Sequence, residues 1–182
     1  ADELCQMKDV LIVKPEELDL AAARGAFREA LALALDGCDS MRIQEGEALK
    51  EDFLKRLALI EGHLKEVQHR AGSVVEDYKR RLRQRVEHLA QGMPVDESRL
   101  MQEIAIFADR CDITEELVRA RSHLEQFRSY LSSEDSIGRR LDFLLQEINR
   151  EITTMSSKAS DSSISARGVE IKAELEKVRE QV

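Results

Sequence analysis

The sequence has no tryptophan, only 4% aromatic residues and two prolines in 182 positions. Strands draw on aromatic and β-branched residues, so a chain this poor in aromatics is a weak candidate for a sandwich or barrel. So few prolines leave little to interrupt a helix. No apolar run approaches the roughly 20 residues of a membrane span, so no membrane contact is expected. Cys5, Cys38 and Cys111 are odd in number, far apart and without a C-x-x-C pair, which excludes a disulfide framework and argues against a structural zinc site. With no signal peptide visible either, a reduced cytoplasm is the expected location. G-x-x-x-x-G-K-[ST], G-x-G-x-x-G, H-E-x-x-H and G-x-S-x-G are all missing, so nucleotide-driven motors, dehydrogenases, zincins and serine hydrolases have no support.

What remains is the vocabulary of helices: Ala, Leu, Glu, Arg, Lys and Gln dominate, and 35% of residues are charged. The fold class predicted is all-α, long antiparallel helices with a coiled-coil-like hairpin and shorter C-terminal helices. A net charge of −8 weighs against a protein that coats DNA, and no DNA specificity is expected. A local basic patch could still serve a nucleic-acid enzyme.

Residues 8–15 form the one strand-like run, ended by Pro15. A lone strand cannot satisfy its own backbone, so 1–15 is expected to be the remnant of a missing N-terminal domain, with 16–182 helical. Pro15 followed by Glu16 and Glu17 suits a helix start. Phe53, Leu57, Ile60, Leu64, Val67, Ala71, Val74 and Tyr78 alternate gaps of four and three, a heptad seam that predicts a long helix lying along a partner. Gly62 and Gly72 are expected to weaken it. Gln91-Gly-Met-Pro-Val95 is the clearest break and predicts a hairpin, so the arm covers about 47–95. Asp96 is placed to cap helix 97–111. Asp112-Ile-Thr-Glu115 has capping-box spacing ahead of a helix reaching Tyr130. After a Ser-rich loop, 138–158 is helical, 159–165 is a polar break, and a closing helix over 163–182 carries Ile164, Ile171, Leu175, Val178 and Val182.

Helix 138–158 separates into two stripes. Leu141, Leu145, Ile148, Ile152 and Met155 form an apolar face, while Arg140, Glu147, Glu151, Thr154 and Lys158 share another arc of about 60°. Glu147 and Glu151, one turn apart, could hold a hard divalent cation such as Mg²⁺ or Mn²⁺. The same spacing equally describes an exposed helix with ordinary Glu–Arg and Glu–Lys pairs. Arg139, Arg140 and Arg150 are suited to gripping phosphates. Glu116, Arg119 and His123 share one face of helix 114–130. A histidine beside a carboxylate can transfer protons near neutral pH or ligate a metal, and can as well be a surface residue near a salt bridge. His63, His69 and His88 lack such company and are expected at the surface. Lys79-Arg80-Arg81-Leu-Arg83-Gln-Arg85 could track a nucleic-acid backbone or be a solvated face.

Taken together, Gly138-Arg-Arg-Leu-Asp-Phe…Gln146-Glu…Asn149-Arg-Glu…Thr154…Ser157-Lys158 resembles the C-terminal signature of the bacterial YicC/YloC family of endoribonucleases. Arg42-x-x-Glu45-Gly46-x-x-Leu49, Phe107-Ala-Asp-Arg-x-Asp-Ile-Thr-Glu-Glu116, Arg119-x-x-x-His123 and Lys172-Ala-Glu-Leu-Glu-Lys-Val-Arg-Glu-Gln181 extend the resemblance in order from about residue 40 onward. It implies a cytoplasmic, metal-dependent RNA-cleaving enzyme that assembles as a homo-oligomer, with a hexamer the implied size. It also implies an N-terminal domain ahead of this helical part. The site it implies has Glu116, His123, Glu147 and Glu151 in catalytic roles, and Glu147, Glu151 and His123 on Mg²⁺ or Mn²⁺. Arg42, Arg119, Arg139, Arg140, Arg150 and Lys158 would lie against RNA. One position departs: Thr153 stands where the family usually has Asn. The alternative function is a non-catalytic helical oligomerisation module, which the heptad seam and the negative charge fit as well.

Overall fold

The structure, a computed structural model, describes residues 19–91, 94–133 and 135–182. The strand-like run 8–15 and the remnant 1–15 lie outside the described residues. Five helices follow in order, α1 (Leu20–Ala90), α2 (Glu97–Arg110), α3 (Thr114–Tyr130), α4 (Gly138–Lys158) and α5 (Ser162–Arg179), with no strand among the described residues. The expectation of an all-α fold with shorter C-terminal helices holds, and of the long antiparallel helices predicted one is long, α1. The chain divides into two compact units, Ala1–Gly46 and Glu47–Val182.

In the first unit α1 starts behind Asp19, whose carboxylate accepts the N–H groups of Ala21 and Ala22 at 2.9 and 3.2 Å. Its Ala-rich sequence favours helix by propensity alone. Leu20, Phe27, Leu33, Met41 and Ile43 are all more than 60% exposed there. Gly46 has open space where a Cβ would stand, so it serves no close approach among the described residues.

The second unit is built on the heptad seam. Phe53, Leu57, Ile60, Leu64, Val67 and Val74 are buried, with Ala71 packed against them. Gly62 and Gly72 do not break α1, because both face open space and the packed seam outweighs a propensity cost of about 1 kcal/mol each. The ring of Phe53 meets that of Phe127 edge-on at 6.0 Å. Polar clamps flank the seam and fix directions. Arg128 and Arg121 of α3 bond Glu61 and Gln68 at 2.8 and 2.7 Å. On the other flank, Glu174 and Arg167 of α5 and its N-cap residue Asp161 meet Arg56, Glu66 and Arg70 at 3.0, 2.7 and 2.7 Å. Rising numbers on α1 meet falling numbers on α3 and α5, so both run antiparallel to it. α4 pairs with both α3 and α5 and closes a four-helix core.

Capping decides the boundaries. Asp96 caps α2 as its sequence suggests, accepting Ser98 and Arg99 N–H groups at 3.0 and 3.2 Å. The capping box at Asp112 forms only in part: Asp112 accepts Thr114 N–H at 2.9 Å, while Glu115 pairs with Arg119 instead of turning back. The polar break after α4 is shorter than the sequence suggests. Asp161 caps α5 through the N–H groups of Ser163 and Ile164, so that helix begins at Ser162, with Ser160 left-handed at φ 47° just before it. Beyond the core, Tyr78 stacks on Phe107 of α2 at 3.7 Å, and Arg83 meets Glu97 at 2.5 Å, which ties the hairpin together.

Candidate functional site

Helices α3 and α4 lie antiparallel, so the first turn of α3 faces the last turn of α4. Acids at a helix N-terminus and a lysine at a C-terminus are each favoured by the local helix dipole. The sequence supplies both: Glu115 and Glu116 open α3, and Lys158 ends α4. The side chains then pair across the seam. Lys158 Nζ sits 2.5 Å from Glu116 Oε1, a carboxylate only 4% exposed. One turn further along α3, Arg119 Nη1 lies 3.8 Å from Glu151, a carboxylate 6% exposed and two turns before Lys158 on α4. Arg119 also contacts Glu115.

Two buried carboxylates on facing helices are costly unless compensated. Compensation here is incomplete. Glu116 Oε2 is buried with no hydrogen-bond partner from the protein among the described residues, and so is Nδ1 of the half-buried His123, which lies two turns along the same face of α3. The Glu116 hydrogen bond holds the Lys158 ammonium above the usual lysine range, with the charges of Glu115 and Asp112 adding to it. Hydrogen bonds from Thr114 hold the Asp112 carboxyl below its usual range, and Lys158 contributes.

The residues singled out from the sequence are therefore brought together unevenly. Glu116, Arg119 and His123 share one face of α3, and Glu151 and Lys158 meet two of them from α4. Glu147 is half-buried one turn from Glu151 and forms no ion pair among the described residues. Arg150 and Arg139 are exposed, also without an ion pair among the described residues. Arg140 lies 3.7 Å from Asp135 and 5.7 Å over the ring of Tyr130. Arg42 belongs to the first unit, where Asp39 is 3.9 Å away. Thr153 is exposed and its hydroxyl donates to the carbonyl of Asn149 at 2.7 Å. The surface reading holds for His69 and His88 but not for His63, which is half-buried with Nδ1 buried and unpartnered. Its position between the core residues Ile60 and Leu64 draws it in.

Among the described residues, no three His, Cys, Asp or Glu side chains converge as an all-protein metal cage would need. Mg²⁺, however, keeps several waters and is commonly held by one or two carboxylates plus substrate phosphate. Glu147 and Glu151 suit that mode, because the Arg119 contact to Glu151 is longer than a hydrogen bond.

Sequence reasoning missed Glu115 and Asp112, which add to the charge around Lys158, and Gln126 and Tyr130, which continue the stripe of Glu116, Arg119 and His123. The signal was there: 116, 119, 123, 126 and 130 keep heptad spacing to the end of α3.

The comparisons with known proteins bear on this region directly. A family described as "Endoribonuclease YicC-like, C-terminal" matches residues 67–182, which include α2 to α5. A Clostridioides difficile protein named "Probable endoribonuclease YicC" is 41% identical over 180 residues, 98% of this chain and 61% of that protein. A Haemophilus influenzae protein of the same name is 35% identical over 171 residues, 94% of this chain and 59% of that protein. The chain thus spans about 60% of the length of the curated relatives it matches. With the family match covering most of the chain and the signature residues seated on the α3–α4 face, the chain belongs to the YicC-like endoribonuclease family.

Proposed function

We propose that the chain is the helical part of an endoribonuclease and that RNA is cleaved on the α3–α4 face. The observation that supports this most is the pair of buried carboxylates, Glu116 and Glu151, on facing helices beside His123. Two of these side chains keep a buried polar atom without a protein partner. Unsatisfied buried polar groups are rare in folded proteins and tend to have a use.

In this reading Glu147 and Glu151 take a divalent cation, Mg²⁺ or Mn²⁺, with waters and substrate phosphate completing its shell and His123 as the general acid–base group. A cation bound there would supply positive charge against the scissile phosphate. Glu116 completes the catalytic set. Arg119 and Lys158, which neutralise Glu151 and Glu116, lie where RNA phosphates would come to rest. Arg139, Arg140 and Arg150 on α4 extend the basic lining. The thiols of Cys38 and Cys111 are free, which suits a reducing cytoplasm.

The test is RNA cleavage with Mn²⁺ against EDTA, in this chain and in the full-length protein. Metal-dependent cleavage by the parent, abolished in the Glu147→Gln, Glu151→Gln double variant with helicity intact, is the expected result. Cleavage unchanged by the double variant removes these two residues from the site.

A second reading, the homo-oligomeric module, is favoured by the exposed apolar residues of 20–43. Such a face calls for a cover, and further copies of the chain would provide it, a hexamer being the size the family resemblance implies. An oligomer without metal-dependent cleavage, even in the full-length protein, would favour this reading over the enzyme.

A further inference from the structure

The stripe on α3 does not stop at His123. It runs on through Gln126 to Tyr130, and the facing stripe on α4 runs from Glu147 back through Phe143 to Arg140. Where the two helices end, Gln126, Tyr130, Arg139, Arg140, Phe143 and Leu144 line a cleft of about 230 Å³. Phe143 is 59% exposed, and Arg140 lies over the Tyr130 ring. Across the chain only 4% of residues are aromatic, so an open phenylalanine beside a tyrosine and two arginines is a concentrated feature.

Every base has a π-face, and single-stranded nucleic acid is held by stacking on aromatic side chains next to cations that follow the backbone. The cleft supplies both parts. The ring of Phe143 is open for stacking, Tyr130 and Arg140 form a second planar wall, and the Gln126 amide can bond a base edge. Arg139 has no ion pair among the described residues, so it can turn toward phosphate, while Arg140 stays over Tyr130 with Asp135 at 3.7 Å. The cleft is smaller than the roughly 300–1,000 Å³ of pockets that enclose whole drug-sized ligands, which suits one planar ring.

Resting on the ribonuclease reading above, we propose that this cleft is a base-stacking subsite for single-stranded RNA. It lies at the far end of the α3–α4 face that carries Glu116, His123 and Glu151. Along α4, Phe143 stands four and eight residues from Glu147 and Glu151, about 6 and 12 Å at 1.5 Å per residue. At about 3.4 Å per stacked nucleotide, the held base lies some two to four nucleotides from the carboxylates. A strand laid along this face would therefore be gripped at one end and cleaved near the other. A duplex offers no unstacked base for the cleft, so single strands are preferred.

The experiment measures binding of a ten-nucleotide single-stranded RNA by fluorescence anisotropy, beside the same oligonucleotide with its bases removed. Phe143→Ala is expected to weaken binding of the intact RNA by at least about fivefold, in line with the stacking of one base. It should leave binding of the abasic strand and the salt dependence unchanged, and Phe143→Trp should restore affinity. Arg139→Glu should weaken both strands. Equal binding of intact RNA by the parent and Phe143→Ala, or equal losses for both strands, overturns the subsite while leaving the ribonuclease reading standing. A fall in oligomer mass in Phe143→Ala without a change in RNA affinity also overturns it, since the ring would then pack against another copy. No RNA binding by the parent chain overturns the subsite, and cleavage by the full-length protein then decides the ribonuclease reading separately.

Discussion

Two stretches of α1 have the same secondary structure and opposite environments. Between residues 20 and 46 no side chain is buried, whereas Phe53, Leu57, Ile60, Leu64, Val67 and Val74 all are. Both stretches carry apolar residues at helical spacing, and both hold glycines. The difference is that the second alternates gaps of four and three without a lapse and meets α3 and α5 with matching seams and polar clamps. Helicity in the first stretch rests on alanine and the Asp19 cap, while in the second it rests on packing. Isolated helices are marginal in water, and most helical stability comes from burying one face.

The largest effect that sharpens the contrast comes from paired truncations. Phe127→Ala, at a fully buried ring in edge contact with Phe53, should cost about 3–5 kcal/mol in denaturant unfolding. Phe27→Ala, 69% exposed, should stay within about 0.5 kcal/mol. If Phe27→Ala instead costs as much as Phe127→Ala, the first unit has a core of its own under solution conditions and the contrast breaks. A loss of oligomer mass in Phe27→Ala would identify that cover as another copy.

Sequence periodicity was enough to place every residue of the 53–78 seam, because a heptad repeat states which face is buried without saying against what. It was also enough for the α1–α2 hairpin, where Pro94 and the Asp96 cap leave the chain few alternatives. What it did not state is which helix meets which. Glu116 and Lys158 are 42 residues apart, and their contact depends on α3 and α4 lying antiparallel in register, a tertiary fact. For the same reason Glu115 was placed in a capping box. Its spacing fits one, but Arg119 a turn away competes for the carboxylate and takes it. His63 reads as a surface residue because it lacks the carboxylate company of His123, but its place between Ile60 and Leu64 leaves it half-buried. The charged stripes of α3 and α4 were legible, but their extension into the cleft at Tyr130 and Phe143 was not. Aromatics at helical spacing read first as core.

The next effect tests whether polar clamps contribute alongside the seam. Asp161 caps α5 and receives two bonds from Arg70, at 2.7 and 3.1 Å. Asp161→Ala should lower stability at pH 7 by about 2 kcal/mol, combining a lost cap with a lost charged hydrogen bond. The Arg70 hydrogen bond, chiefly, holds the Asp161 carboxyl below its ordinary value of 3.8. A depressed folded pKa stabilises the fold above the ordinary value, and that contribution is lost as pH falls through the lowered one. The gap between parent and variant should therefore be full at pH 7 and shrink below about pH 4. A gap that stays constant from pH 7 to 3 would assign the effect to something other than this carboxylate.

A smaller effect probes the closest approach of α4 and α5. A Cβ at Gly168 would stand 2.2 Å from Ser156 Oγ. Ala in place of Gly favours helix by about 1 kcal/mol, while the clash forces the Ser156 hydroxyl off its 2.8 Å bond to the Ile152 carbonyl. Gly168→Ala should thus be near neutral or mildly destabilising. The double variant Ser156→Ala, Gly168→Ala should be more stable than the sum of its single changes, because Ser156 Cβ lies at an ordinary 3.5 Å. Strict additivity in a double-mutant cycle would mean the two helices sit further apart in solution.

The smallest effect is expected at Thr153, where the family resemblance leads one to expect Asn. Thr153 is exposed on α4, and its hydroxyl is committed to the carbonyl of Asn149, one turn back in the same helix. It contacts none of the α3 side chains that face Glu151 and Lys158, although it is next to Thr154 on their stripe. Thr and Asn have similar helix propensities, so Thr153→Asn should change stability by less than about 0.5 kcal/mol. An Asn side chain is no longer tied to the carbonyl at 149 and can swing toward solvent, where RNA would approach. If position 153 only completes the outer surface of α4, thermal melting and RNA cleavage both stay as in the parent. If Thr153→Asn raises cleavage while leaving the melt unchanged, the working edge of the site extends beyond the buried carboxylates to the rim of α4, and the exposed side of this helix matters to the chemistry as much as the buried one.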